Sequence, residues 1–477
     1  MLSAFPSAML PMVEPFFLRW KLDRPCVEAG KSEDVYVLFR IEPNPALLRN
    51  AGAAHVPIHL LLLVDVSESM NILIRPDPQA RTLRAKTTEG VASHEVVSEV
   101  PSRRETACSV VRKIVERLQP DDWITLVAFD DQPYVLTHST PAANRAVLAA
   151  AVDRLGKVGG GGTALGQGMQ AVRDVLAAVN DAPRHRKLVL LTDGEANDPE
   201  RALSEAHLLG RDLNVPIVAF GTGECKVAFL TNVAKTTLAG GFNHIRSESD
   251  AEQLFFQVLT GQQNIQASNV SLKLWLSPEI QVRELYRTRP EILFVGDLQP
   301  DAHQMVTLRL EQMERGKAYE FLFRCTLPAR SSHQRFRIAK ATLEFQLASD
   351  PTKLQHLENN VVVEYTDDPA RLGERSGDVK RVLARAEVQR QVLFLQHKID
   401  LLSANQANDR DRAIVAKLLE ALIAKFRDFG DQAMVNQYTA MRDEFQRKGS
   451  ISQEMLNRSL AASSRAEEVV VAQDIDF

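Results

Sequence analysis

The sequence of 477 residues has few cysteines, little net charge and no long apolar run. Its four cysteines lie far apart and form no CxxC pair, which argues against a zinc site and a disulfide scaffold and favours a reducing compartment. The formal net charge of -4 argues against a general nucleic-acid-binding surface. No apolar stretch approaches the roughly 20 residues that a membrane-spanning helix needs. Residues 1–15 are interrupted by prolines and have no basic start, so no signal peptide is predicted and a cytoplasmic protein is expected.

Recognisable catalytic motifs are lacking as well. The glycine-rich segment 159–163 has no Gly-Lys-Ser/Thr ending and does not directly follow a strand, which disfavours a nucleotide-binding P-loop. The histidines form no His-x-x-His pair, and no Ser-His-Asp arrangement is visible, although a triad that assembles only in the fold stays open. The sequence therefore favours a protein that is not an enzyme.

The hydrophobic pattern divides the chain into several units. Between Pro57 and about Gly261, near-continuous apolar strands alternate with helical patterns, which is typical of a parallel sheet covered by helices on both faces. Both flanks carry alternating strand patterns, so an antiparallel β-sandwich interrupted by the α/β domain is predicted, with a small helical hairpin or three-helix unit after it. The predicted units are N-terminal strands of the sandwich at 1–55, the α/β domain at 56–261, the rest of the sandwich at 262–368, a helical region at 369–460 and a flexible tail at 461–477.

A polar segment at 71–104 interrupts the predicted α/β domain. It carries three prolines and no clear periodicity, and loops of this length are usually functional or disordered. We interpret it as a surface insertion close to the functional edge of the sheet. The short basic clusters Arg103-Arg104 and Arg184–Lys187 are expected to be solvated surface.

Oxygen-bearing side chains follow two of the predicted buried strands. The run Ile58–Val64 stops at Asp65, and the run Leu188–Leu191 leads to Thr192 and Asp193. Open α/β sheets place their sites at such strand ends, and carboxylates and hydroxyls are the oxygen ligands that Mg2+ prefers. The glycines before Thr163 allow its backbone to approach closely. The candidate metal ligands are Asp65, Ser67, Ser69, Thr163 and Asp193.

Asp65-x-Ser67-x-Ser69, Gly-Gly-Thr163 and Thr-Asp193-Gly together resemble the signature of von Willebrand factor type A (VWA) domains with an intact metal-ion-dependent adhesion site. The resemblance covers about residues 57–261 and implies a Rossmann-like, doubly wound fold. It implies that the two serines and the threonine bind Mg2+ directly or nearly so, while the two aspartates act through waters; Mn2+ and Ca2+ are the alternative ions. A cation held mainly by neutral hydroxyls attracts an anionic oxygen from outside, such as an Asp or Glu of a partner protein.

The layout is also similar to a bacterial group of VWA proteins in which β segments flank the domain and helices follow it. Members often occur beside Ser/Thr kinases and protein phosphatases, so the resemblance implies a signalling scaffold. A second hypothesis is an adaptor that presents substrates to a MoxR-type AAA+ ATPase, and a third is a purely structural metal. A Mg2+-dependent phosphatase of the haloacid dehalogenase type is disfavoured because Ser67 stands where the general acid should be.

Overall fold

The computed structural model describes nine stretches of the chain. Most of the predicted insertion, 74–100, lies outside them, as do residues 1–13 and residues 465–477 of the predicted flexible tail. The described residues are 14–48, 56–73, 101–179, 184–193, 196–223, 225–245, 248–331, 334–403 and 409–464.

The described chain begins with three strands of the sandwich: β1 (Phe16–Leu22), β2 (Cys26–Glu28) and β3 (Glu33–Pro43). Strands β1 and β3 pair antiparallel, and the single helical turn Pro45–Leu48 follows.

A six-stranded sheet forms the centre of the α/β unit in the described residues, with the order β6-β5-β4-β7-β8-β9. All eight residues of β4 are buried, as expected for a central strand covered on both faces. Five strands are parallel, whereas the edge strand β6 runs antiparallel to β5 and was missed by the sequence analysis because its half-exposed sequence gives a weak pattern. The strands are β4 (Ile58–Asp65), β5 (Trp123–Phe129), β6 (Pro133–Pro141), β7 (His185–Thr192), β8 (Ile217–Thr222) and β9 (Gly241–Ile245).

Helices cover both faces of this sheet, and alternate side chains of β4 enter the two cores. Leu60 and Leu62 pack in the core with α1, α2 and α6, and Leu61 and Leu63 pack in the core with α3, α4 and α5. The predicted fold class, a Rossmann-like doubly wound α/β unit, is therefore confirmed. The helices are α1 (Arg103–Arg117), α2 (Arg145–Leu155), α3 (Leu165–Ala177), α4 (Pro199–His207, continued by a π-helical turn), α5 (Val227–Ala234) and α6 (Glu248–Gln263).

The chain returns from α6 to the sandwich, whose two sheets have the orders β1-β3-β14-β11-β12 and β13-β10-β15-β16-β2. The N-terminal strands complete both sheets: β3 pairs with β14, and the short β2 pairs parallel with β16. The remaining strands are β10 (Ile265–Leu276), β11 (Gln281–Arg289), β12 (Leu293–Asp297), β13 (Met305–Glu314), β14 (Tyr319–Leu327), β15 (Gln334–Leu347) and β16 (Asp350–Thr366).

After the turn Pro369–Leu372, four helices follow in the described residues, one more than the largest predicted unit. The last helix ends at Ser464, so the first four residues of the predicted flexible tail are helical. None of the described helices combines the length and apolar composition needed to cross a membrane. The helices are α7 (Gly377–Ser403), α8 (Asp409–Asp428), α9 (Gln432–Lys448) and α10 (Gln453–Ser464).

The long helix α7 joins the three units. Its first half packs Val379 and Ala386 on the outer face of a sandwich sheet. Its second half places Val392 and Leu395 in the core that also contains α3–α5 and α8–α10. The C-terminal helices and one face of the α/β unit therefore share one continuous apolar core.

Candidate metal centre

The two candidate aspartates lie at the carboxyl ends of neighbouring parallel strands. Asp65 is the last residue of β4, and Asp193 follows β7 directly. The sheet order reverses between these strands, because the chain continues from β4 towards β5 on one side and from β7 towards β8 on the other. Ligands of open α/β sheets bind at such switch points. Both aspartates are buried, with 0% and 5% of their surface exposed.

Asp65 is held by uncharged donors. Its Oδ1 accepts a hydrogen bond from the Ser67 backbone N at 2.8 Å, and its Oδ2 accepts one from Thr192 Oγ1 at 2.5 Å. Burial raises the pKa of Asp65 to about 6, the charge of Asp193 adds to this rise, and the hydrogen bonds from Ser67 and Thr192 oppose it. A buried carboxylate with neutral partners is stabilised by a cation placed beside it.

The hydroxyls of Ser67 and Ser69 connect the loop that follows Asp65, residues 65–69, to Asp193. Ser67 Oγ lies 3.1 Å from Ser69 Oγ, and Ser69 Oγ donates to Asp193 Oδ1 at 2.7 Å. A hydroxyl that donates its proton to a carboxylate keeps its lone pairs for a cation. The donor set therefore fits a hard divalent ion.

The fifth candidate, Thr163, lies in the glycine loop, residues 159–163, which contacts the segment 65–69. Gly161 O accepts from Glu68 N at 3.0 Å, and Thr163 O accepts from Asn197 N at 2.8 Å. The glycine at 159 has φ = +86°, and a Cβ there would lie 2.4 Å from Val66 Cγ2. Thr163 itself is 7% exposed. The structure thus joins four candidates by direct hydrogen bonds, and the loop that carries Thr163 contacts residues 65–69 through the bond between Gly161 and Glu68.

Two carboxylates outside the five candidates hold the glycine loop, residues 159–163, and the start of α3. Asp130 Oδ2 accepts from Gly161 N at 3.2 Å. Asp198 accepts from Gly166 N at 2.9 Å and from Gln167 N at 3.2 Å, which satisfies free amides at the start of α3. Within the described part of the chain, no group of three or more His, Cys, Asp or Glu side chains is arranged to hold a metal ion. The hydroxyl-rich set around the two site aspartates is therefore the candidate.

Two arginines also belong to this region, and the expectation that they are solvated surface was wrong. Arg103 Nη1 lies 2.5 Å from Asp193 Oδ2, and the two side chains are 15% and 0% exposed. Arg104 donates to Val66 O. Helix α1 starts at Arg103, ahead of its first buried residue, Thr106.

The early start of α1 has a local cause. Ser102 and Glu105 form a capping box, in which Glu105 N donates to Ser102 Oγ at 3.1 Å and Ser102 N donates to Glu105 Oε2 at 2.7 Å. Ser-x-x-Glu is a recognisable helix-start pattern, so this signal was present in the sequence.

Comparison with known proteins identifies the domain that carries these residues. Residues 60–195 match the family model of the von Willebrand factor type A domain. The chain contains a VWA domain. The matched range includes all five candidate ligands, and domains of this type often mediate metal-dependent protein interactions.

One relative matches part of this chain. An uncharacterized protein from Synechocystis is 25% identical in an alignment of 225 residues, with coverage of 43% of this chain and 52% of that protein. The match therefore spans about half of the relative.

Two solved structures share the fold over nearly the whole chain. A von Willebrand factor type A protein from Catenulispora acidiphila has a TM-score of 0.72 at 15% identity and covers 96% of this chain and 98% of its own. The ArnB paralog VWA2 from Sulfolobus acidocaldarius has a TM-score of 0.53 at 14% identity, with coverage of 94% and 98%. At these identities the likeness concerns the fold, and it includes the parts outside the VWA domain.

Proposed function

We propose that this protein is a non-enzymatic interaction scaffold whose VWA domain binds a carboxylate of a partner protein through a divalent cation. Mg2+ is the expected ion, and Mn2+ or Ca2+ are the alternatives. The observation that carries the proposal is the hydrogen-bonded series Asp65–Ser67–Ser69–Asp193 at the switch point of the sheet. It gathers two carboxylates and neutral hydroxyls, a donor set suited to a hard cation.

The proposed roles of the ligands are those that the resemblance to VWA domains implies. The hydroxyls of Ser67, Ser69 and Thr163 would hold the ion, and Asp65 and Asp193 would orient those hydroxyls and bound waters. When bound, a divalent cation with mostly neutral ligands keeps positive charge and supplies a position for an anionic oxygen. The buried aspartates fix the loop geometry, so little reorganisation is needed on binding.

The surroundings of Asp65 support a binding role rather than phosphoryl transfer. Both of its oxygens accept hydrogen bonds, from Ser67 N and Thr192 Oγ1. An aspartyl nucleophile also needs a nearby acid for the leaving group, and the residue two positions on is a serine. We therefore propose that the site binds and does not catalyse.

The proposed partners are those that the resemblance to the bacterial group of VWA proteins implies. A Ser/Thr kinase or a protein phosphatase in bacterial signalling comes first, and a MoxR-type AAA+ ATPase is the alternative. In the scaffold the sandwich would serve as a platform and helices α7–α10 as a second contact surface. Co-purification with a hexameric ATPase would favour the adaptor over the signalling role.

The test uses Mn2+ as the probe ion and the full chain. Titration followed by the electron paramagnetic resonance signal of free Mn2+ should reveal one site, and Asp65→Asn should weaken it by roughly 10–100-fold, as the loss of a group that orients metal ligands does. The α-amide of N-acetylglutamate keeps a free side-chain carboxylate. Adding it to the Mn2+-loaded protein should lower the relaxivity of the water protons, because this carboxylate replaces water bound to the ion. The N-acetylglutamine amide should leave the relaxivity unchanged.

Asp153→Asn is the matched control, since Asp153 is an exposed acid on α2 that pairs with exposed Arg112. It should bind Mn2+ like the wild type. Equal Mn2+ affinity in the wild type and the Asp65→Asn variant would refute the proposed site, and equal responses to the two amides would refute carboxylate recognition.

A further inference from the structure

The ion pair of Arg103 with Asp193 places a positive charge inside a site proposed to bind a cation. Ser69 donates to one oxygen of Asp193, and Arg103 Nη1 lies 2.5 Å from the other. The Asp193 side chain is fully buried, so water does little to screen this pair. Asp65, by contrast, is held by an amide and a hydroxyl. The chain thus neutralises one of the two site carboxylates and leaves the other charged.

The position of Arg103 is unfavourable for an arginine in an ordinary helix. It is the first residue of α1, where the helix dipole presents positive charge and disfavours cations. Arg104 follows it in the same turn. The compensating partner is Asp193, 90 positions away in the sequence. The arginine is therefore placed by its contact with the metal centre and not by the needs of its helix.

The surrounding backbone is arranged to hold this arginine. Arg103 N donates to Ile72 O at 3.0 Å, and Leu73 forms a β-bridge with Ser102. The start of α1 is therefore tied to the residues that directly follow the segment with Ser67 and Ser69. On the other side, a Cβ on Gly223 would lie 2.2 Å from Arg103 Nη2. The glycine, with φ = +61°, leaves the space that the guanidinium fills.

We propose that Arg103 sets the charge of the metal centre: by neutralising Asp193 it weakens cation binding and leaves a bound cation with more positive charge for a carboxylate ligand. This inference rests on the proposed function and deepens it. Arg103 is a positioning and charge-setting residue, since it acts through Asp193. A merely structural arginine would differ, because its loss would weaken both the ion and the ligand.

The decisive experiment compares Arg103→Gln, Arg103→Lys and the control Arg112→Gln. Arg112 lies on the same helix and pairs with Asp153 at an exposed position. Removing one unit charge near a divalent ion should tighten Mn2+ binding of Arg103→Gln about tenfold by Coulomb's law. The affinity of the loaded protein for the amide of N-acetylglutamate should fall by a similar factor. Arg103→Lys keeps the charge and should stay near the wild type, as should Arg112→Gln.

The outcomes separate this inference from the proposed function. Suppose that the wild type binds Mn2+ and that Arg103→Gln binds it equally well or more weakly. This result overturns the role of Arg103 and leaves the proposed metal site intact. Mn2+ binding by Arg103→Gln alone supports the role of Arg103 and overturns the proposed function of the native chain. Absence of binding in both proteins overturns both. Circular dichroism of each variant checks that it is folded.

Discussion

The parallel strands of the VWA sheet have their amino ends on one side, here called the amino edge, and their carboxyl ends on the other, the carboxyl edge. Both sides bury charged or titratable groups, but these groups are compensated differently. At the amino edge, the buried Arg287 of β11 donates to Gly240 O at 3.0 Å and to Leu238 O, just before β9, and pairs with Glu291. His59 near the start of β4 is buried beside Thr125, and burial lowers its pKa to about 3, so it is neutral at pH 7. At the carboxyl edge, Asp65 is surrounded by neutral donors and burial raises its pKa.

The two edges therefore differ in the groups that stabilise their buried side chains. The amino edge is completed by the chain itself, through carbonyl oxygens of the VWA domain and an arginine of the sandwich. At the carboxyl edge Arg103 pairs with Asp193, whereas Asp65 accepts hydrogen bonds from an amide and a hydroxyl. Burying an uncompensated charge is costly, so the proposed cation would stabilise this edge.

The largest effect is expected from breaking the amino edge. Arg287→Met removes a buried cation that satisfies two backbone carbonyls, and we expect the free energy of unfolding to fall by about 3–5 kcal/mol. Urea denaturation of the full chain measures this. Arg283→Met, on the exposed face of the same strand, should change stability by less than about 0.5 kcal/mol. Similar losses in both variants would contradict a clamp specific to Arg287.

The next effect should have the opposite sign at the carboxyl edge. Asp65→Asn removes a buried charge while keeping the shape, so the protein in EDTA should become more stable by up to about 3 kcal/mol. The same variant should lack the rise in Tm that we expect Mg2+ to give the wild type. Thermal unfolding with EDTA and with Mg2+ measures both changes. A less stable variant in EDTA would mean that the chain alone compensates Asp65.

A smaller effect follows from the pH dependence of His59. Its pKa is about 6.5 unfolded and about 3 folded, so its contribution is complete above pH 6.5 and is lost as the pH falls towards 3. Between pH 7 and pH 5 the contribution of His59 should therefore drop by about 2 kcal/mol, while the raised pKa of Asp65 acts in the opposite direction. His59→Gln should flatten this slope in chemical denaturation, whereas His138→Gln, at an exposed position of β6, should retain it. An unchanged slope in His59→Gln would assign the dependence to other groups.

The sequence predicted best where a pattern is local. The Leu-rich runs of β4 and β7 end at aspartates, so both central strands and their metal-ligand candidates were visible as short motifs. Edge strand β6 was not visible, because half-exposed strands lack a strong apolar signal. Arg103 was misjudged because its partner Asp193 lies 90 positions away, and a charge says nothing about its counter-ion until the chain folds.

The core shared by the VWA domain and the C-terminal helices has a consequence for biosynthesis. Asn457 Nδ2 on α10 donates to Cys225 O in the VWA domain at 3.4 Å, a contact spanning 232 positions. A nascent chain therefore emerges with the faces of α3–α5 uncovered and completes this core only after α10 has been made. Contacts between residues that are far apart in the sequence slow folding. Until they form, apolar surface stays exposed and can aggregate. The VWA domain made alone should accordingly depend on chaperones more than the full chain does, and its solubility with and without α7–α10 measures that cost.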